Sequence, residues 1–129
     1  MKITGTAVSL NVLDVPAASA FMIEHFGFTE QMAADGFSSL AREDAGANIV
    51  FLRKGLATLP EDQRDDLAQG LIVAFEVEDL EGELARLQGE GVEITMPLTV
   101  EEWGERAFQV REPNGVIIQL VDWNGPTTG

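Results

Sequence analysis

The chain has 129 residues, with 22 acidic and 8 basic side chains and a formal net charge of −14. That charge repels phosphate backbones, which argues against a nucleic-acid partner, and it favours encounter with cations. There is no cysteine, which excludes disulfides, thiolate metal sites and a cysteine nucleophile.

Apolar residues make up 45% and charged residues 23%, ordinary globular usage that suits one domain with a sizeable core. The opening MKITGTAVSL carries one lysine and lacks the apolar core of a signal peptide. No apolar run approaches the ~20 residues that span a bilayer. The expectation is a cytoplasmic protein with no membrane partner.

The chain opens on a strand of period two. Val8, Leu10 and Val12 share one face, and Ala7, Ser9 and Asn11 share the other. Asp14 then stands where a helix N-cap is wanted, and Pro16 fits the first turn. Val15, Met22 and Phe26 form a core-facing stripe, and Gly27 suits a left-handed helix end. Three strands are expected at 28–33, 37–42 and 47–53, with turns at Gly36 and Gly46. Residues 56–70, with a proline and a run of charge, read as a linker.

The pattern then repeats. Val73, Phe75 and Val77 alternate with Ile72, Ala74 and Glu76. Asp79 takes the N-cap position, half a chain length after Asp14. Leu80, Leu84 and Leu87 form the stripe, and Gly91 ends the helix. Strands are expected at 92–96, 106–111 and 116–122, the last two joined by the hairpin turn Glu112-Pro113-Asn114-Gly115. The tail 124–129 reads as frayed. The predicted fold is α+β, a single domain over 1–129. Two tandem βαβββ modules, about 1–55 and 71–124, form a curved mixed sheet with a cleft.

These residues carry a resemblance. Val12-x-Asp14 before a helix ending in Gly27-Phe28, a second Val77-x-Asp79, and the closing Glu112-Pro-Asn-Gly-x-x-x-Gln119 resemble the vicinal oxygen chelate superfamily. That group includes glyoxalase I, extradiol dioxygenases, fosfomycin-modifying enzymes and bleomycin resistance proteins. In its metal-dependent members four cleft positions hold the ion. The resemblance places them here at Ala7, Val50, Ile72 and Gln119. A divalent ion needs several converging oxygen or nitrogen donors at ~2–2.6 Å. Three of the four side chains are hydrocarbon, so no metal and no cofactor is expected.

The metal-free, bleomycin-resistance-like branch is the nearest in pattern, and the stretch from Pro97 through Trp103-Gly104 resembles its Glu-Trp-Gly segment. The resemblance implies a homodimer that sequesters an aromatic natural product, such as an antibiotic, without changing it. Ala7, Val50 and Ile72 would floor the site. Ser9, Asn11 and Gln119 would orient the guest, Phe37 and Trp103 would stack on it, and Glu76 would favour a cationic one. The partner is then a small molecule, and no catalytic residue is assigned. The alternative is a metal-independent or displaced-metal enzyme, lyase or isomerase in type, with Glu76 as its acid or base. His25 reads as a partly exposed helix residue. Glu101-Glu102 and Asp65-Asp66 read as solvated surface, and Trp123 as a rim or interface residue.

Overall fold

The computed structural model describes residues 1–126. The described chain divides into two compact units, Met1–Gly70 and Leu71–Gly129. No helix among the described residues is long and apolar enough to cross a membrane.

Unit 1 contains β1 (Ala7–Val12), α1 (Val15–Phe26), β2 (Thr29–Ala34), β3 (Phe37–Ala41), β4 (Asn48–Arg53) and a short α2 (Glu61–Arg64). Its sheet runs β1-β4-β3-β2. β1 pairs with β4 in parallel, and the other pairs are antiparallel. The predicted alternation sets the faces. Leu10, Val12, Leu40, Ile49 and Phe51 are buried beneath the helix stripe of Val15, Ala18, Met22 and Phe26. The Asp14 carboxylate caps α1 by accepting from Ala17 N at 3.1 Å. Gly27 ends the helix at φ 68°, a left-handed conformation that favours glycine.

Unit 2 repeats the plan with β5 (Ile72–Glu76), α3 (Leu80–Gly89), β6 (Met96–Val100), β7 (Arg106–Arg111) and β8 (Ile117–Asp122). The sheet order is β5-β8-β7-β6, again with one parallel pair. Asp79 accepts from Gly82 N at 3.1 Å, the counterpart of Asp14. Leu80 and Leu87 of α3 are buried, as are Phe108 and Val110 of β7 and Ile118 and Leu120 of β8. The expected duplication is thus present as two mixed α+β modules, each with its own four-stranded sheet.

Three expectations need correction. The strand expected at 92–96 begins only at Met96 and runs to Val100. Residues 92–95 remain outside it while the helix end closes through Val92 N to Leu87 O at 3.0 Å. Pro97 lies inside β6 and lacks a donor, which an edge strand with an irregular register tolerates. The segment 56–70 belongs to unit 1 and includes α2. Arg64 donates to the Leu59 and Ala57 carbonyls, and Ala68 N reaches Asn11 O on β1 at 2.9 Å. The tail is pinned at its start. Asn124 N donates to Asp122 Oδ1 at 3.1 Å and Gly125 N to Gly104 O at 2.9 Å. Residues 127–129 of the expected frayed tail lie outside the described residues.

An ion network ties α3 to the sheet of unit 2. Asp122 is only 3% exposed. Arg106 donates to both its oxygens, at 2.9 and 2.6 Å, and also bonds Glu81 in the first turn of α3. The Arg106 hydrogen bond is the foremost cause holding the Asp122 carboxyl below its ordinary pKa. Glu81 is lowered likewise, again mainly by its bond to Arg106. A carboxylate depressed by folding stabilises the fold above its unfolded pKa, about 3.9 for Asp. That contribution is lost as pH falls through the folded value. Arg106→Met is therefore expected to melt several degrees lower than the parent at neutral pH, with the gap narrowing below about pH 4. Thermal melts by circular dichroism across that range check this. A gap of constant size would show that the pair does not govern acid stability.

Candidate functional site

Each module leaves one sheet face free of its long helix, α1 or α3, and period-two alternation decides what stands on that helix-free face. In unit 1 that face carries Ala7, Ser9 and Asn11 from β1, Asn48, Val50 and Leu52 from β4, and Phe37 and Ser39 from β3. Cross-strand register orders them into rows. Ser9, Val50, Ser39 and Met32 form one, and Asn11, Leu52, Phe37 and Ala34 form the next. Five predicted site residues, Ala7, Ser9, Asn11, Phe37 and Val50, are therefore brought onto one face. Ala7 and Ser9 are exposed, while Asn11, Phe37 and Val50 are half-buried.

Asn11 has a definite structural task. Its Nδ2 donates to Gln63 O at 2.7 Å and to Asp66 O at 3.0 Å. Both amide hydrogens thus hold the 56–70 segment against β1, leaving only the side-chain oxygen for a guest. Nothing in the sequence pairs Asn11 with that segment, because the contact spans more than 50 residues.

In unit 2 the helix-free face carries Ile72, Ala74 and Glu76 from β5, Ile117, Gln119 and Val121 from β8, and Gln109 and Arg111 from β7. Ala74, Gln119, Gln109 and Met96 form one row, and Glu76, Val121, Ala107 and Thr99 another. Ile72 is 49% exposed. Gln109 Nε2 donates to Gln119 Oε1 at 2.8 Å. Gln109 and Arg111 escaped the sequence reading. Their only sequence signal was the strand alternation; the register that pairs Gln109 with Gln119 and Arg111 with Ile117 is a property of the folded hairpin.

Trp103 stands off the strands, in the loop between β6 and β7. It is 61% exposed, and its indole N–H donates to Glu105 Oε2 at 3.2 Å. Gly104 turns the loop at φ 92°. Gly125 packs so closely that a Cβ there would meet Gly104 O at 2.9 Å. The loop that presents Trp103 is therefore held by backbone contacts. Trp123 is also exposed, at 54%. His25 lies in the last turn of α1 with its ring 5.0 Å from that of Phe21.

The four positions at which the resemblance expects metal ligands do not fit a resident divalent ion. Ala7, Val50 and Ile72 offer no donor atom. The Gln119 oxygen is engaged by Gln109. Among the described residues, no group of three or more His, Cys, Asp or Glu side chains converges to hold one.

Residues 5–120 match the Glyoxalase/Bleomycin resistance protein/Dioxygenase superfamily. The chain belongs to that superfamily. A glyoxalase/bleomycin resistance protein/dioxygenase from Nocardioides is similar at 20% identity and TM-score 0.77, over 100% of this chain and 89% of that one. A lactoylglutathione lyase from Agrobacterium tumefaciens is similar at 14% identity and TM-score 0.77, over 93% of each chain. TnmS3, an antibiotic binding protein from Streptomyces sp. CB03234, is similar at 24% identity and TM-score 0.69, over 93% of this chain and 96% of that one. No curated protein matches the sequence. At these identities the likenesses establish the fold. Function in this superfamily has to be argued from the side chains placed on it.

Proposed function

We propose that this superfamily member is a non-catalytic binding protein that sequesters an aromatic natural product of the antibiotic kind and releases it unchanged. One observation carries the reading: the helix-free faces present Ala7, Val50 and Ile72 where a catalytic relative would need donor atoms. Neutral polar groups on those faces, among them Ser9, Gln119 and Gln109, suit orientation of a guest rather than chemistry on it. The similarity to TnmS3 supports the class. Exposed Trp103 supplies a flat face for stacking, and Glu76 with the net charge of −14 favours a cationic guest. A homodimer in the cytoplasm completes the proposal, and sedimentation equilibrium checks the oligomeric state.

An aromatic antibiotic titrated into the protein is expected to quench tryptophan emission saturably and to be recovered intact by mass spectrometry. Trp103→Ala is expected to weaken binding by about 1 kcal/mol, roughly fivefold, without unfolding the domain. Trp123 remains as the reporter in that variant. Unchanged affinity would remove Trp103 from the site.

A second reading is a metal-independent enzyme that uses Glu76, the exposed carboxylate on the helix-free face of β5. Turnover that is lost in Glu76→Gln while guest binding persists would favour it.

A further inference from the structure

A groove of 660 Å³ lies on the other side of unit 1, between the N-terminal half of α1 and the β2–β3 hairpin. Every residue lining it comes from unit 1. Small side chains line it: Ala20 of α1, Ala33 on the α1 side of β2, and Ala34 and Gly36 at the hairpin turn. The volume falls within the ~300–1,000 Å³ of small-molecule sites. The walls are apolar, and the flanking Leu13 and Ile23 stay 65% and 41% exposed. Of the predicted site residues, the groove includes Phe37 alone.

Its polar groups are few and unevenly satisfied. Ser19 lines the groove at 5% exposure, and its hydroxyl has no hydrogen-bond partner among the described residues. A buried hydroxyl left without a partner is uncommon and costs about 1–3 kcal/mol. Its oxygen is shielded from water. Ser38, 2% exposed, donates to Glu30 Oε2 at 3.4 Å. The rim carries Asp14, Glu30 and Asp35 against Arg53 alone, and Arg53 is held by Asp35 at 2.8 Å. The rim is therefore negative.

We propose that this groove is a second small-molecule site, which takes an amphiphilic amine: an apolar body between α1 and the hairpin, with one protonated nitrogen toward Glu30. It is separate from the reading given under Proposed function. Both tryptophans lie in unit 2, whereas the groove is read through unit 1 methyl groups, so either proposal can fail alone.

Octylamine is the probe and 1-octanol its uncharged match, added to methyl-labelled full-length protein and followed by NMR. Octylamine is expected to shift Ala20, Ala33, Ala34 and Ile23 saturably, and to bind at least about twofold tighter than the alcohol. Ala20→Phe, at an exposed helix position, is expected to abolish the Ala33 and Ala34 shifts while the melting temperature holds. Glu30→Gln is expected to bring the amine to the alcohol's affinity. Shifts that do not saturate, that spread through unit 2, or that survive Ala20→Phe overturn the site. Equal binding of amine and alcohol to the parent overturns the amine assignment.

Discussion

Replacing Phe108 with alanine is expected to lower the unfolding free energy by about 3–5 kcal/mol. Phe108 sits at the centre of β7, fully buried and directly opposite Leu120. Leu80 and Leu87 of α3 are buried in the same core, so the cavity left by the ring has packed walls that relax only in part. A domain of this size has about 5–15 kcal/mol in total, so the loss takes a large share of it. Urea unfolding followed by circular dichroism measures it as a fall in midpoint at unchanged slope. A loss below about 1.5 kcal/mol, the scale of a volume-conserving swap, would mean that unit 2 is packed less tightly than the structure indicates. The consequence reaches the site, because Gln109 is the next residue on the same strand and points to the opposite face.

The second large effect concerns Glu112. This residue opens the closing Glu-Pro-Asn-Gly motif, and the structure gives it a mechanical role. It is 2% exposed. Its Oε1 accepts from Val116 N at 2.9 Å and its Oε2 from Asn114 Nδ2 at 3.0 Å. The carboxylate thus closes the hairpin from within, beside the backbone bonds of Glu112 N to Val116 O and Gly115 N to Glu112 O. Glu112→Ala removes both acceptors and leaves the buried Val116 N–H without this partner, at a cost of about 1–3 kcal/mol. Glu112→Gln is expected to cost less, because its amide retains one acceptor oxygen and loses only the bond to the other. Equal destabilisation by the two variants would show that charge, not acceptor geometry, is what the turn requires.

The β7–β8 hairpin also shows where local signals ran out. Glu-Pro-Asn-Gly marked a turn but not its register. A two-residue loop would set Gln119 opposite Phe108 and bring a polar amide to the core face. Gly115 at φ 91° permits a three-residue loop instead, and Gln119 pairs with Gln109. The amide pair, the most prominent polar feature of that face, therefore depends on one residue of loop length.

Short-range chemistry was legible throughout. The alternation at 7–12 and 72–77, the caps at Asp14 and Asp79, and the positive-φ glycines after α1 and α3 are local demands of strand and helix geometry, and a sequence states them directly. From them followed the two modules and their faces; that Ala7, Val50 and Ile72 put hydrocarbon at ligand positions is what the family resemblance implies. Three matters were decided only by tertiary contacts between residues distant in the chain. Asn11 captures the 56–70 segment, Gly125 packs on Gly104 and so holds the Trp103 loop, and small side chains on α1 and the hairpin line a groove that no periodicity announces. Periodicity reports which face a residue occupies; it carries no record of what lies across from it, and vacant volume or a long-range hydrogen bond is a property of that opposite surface.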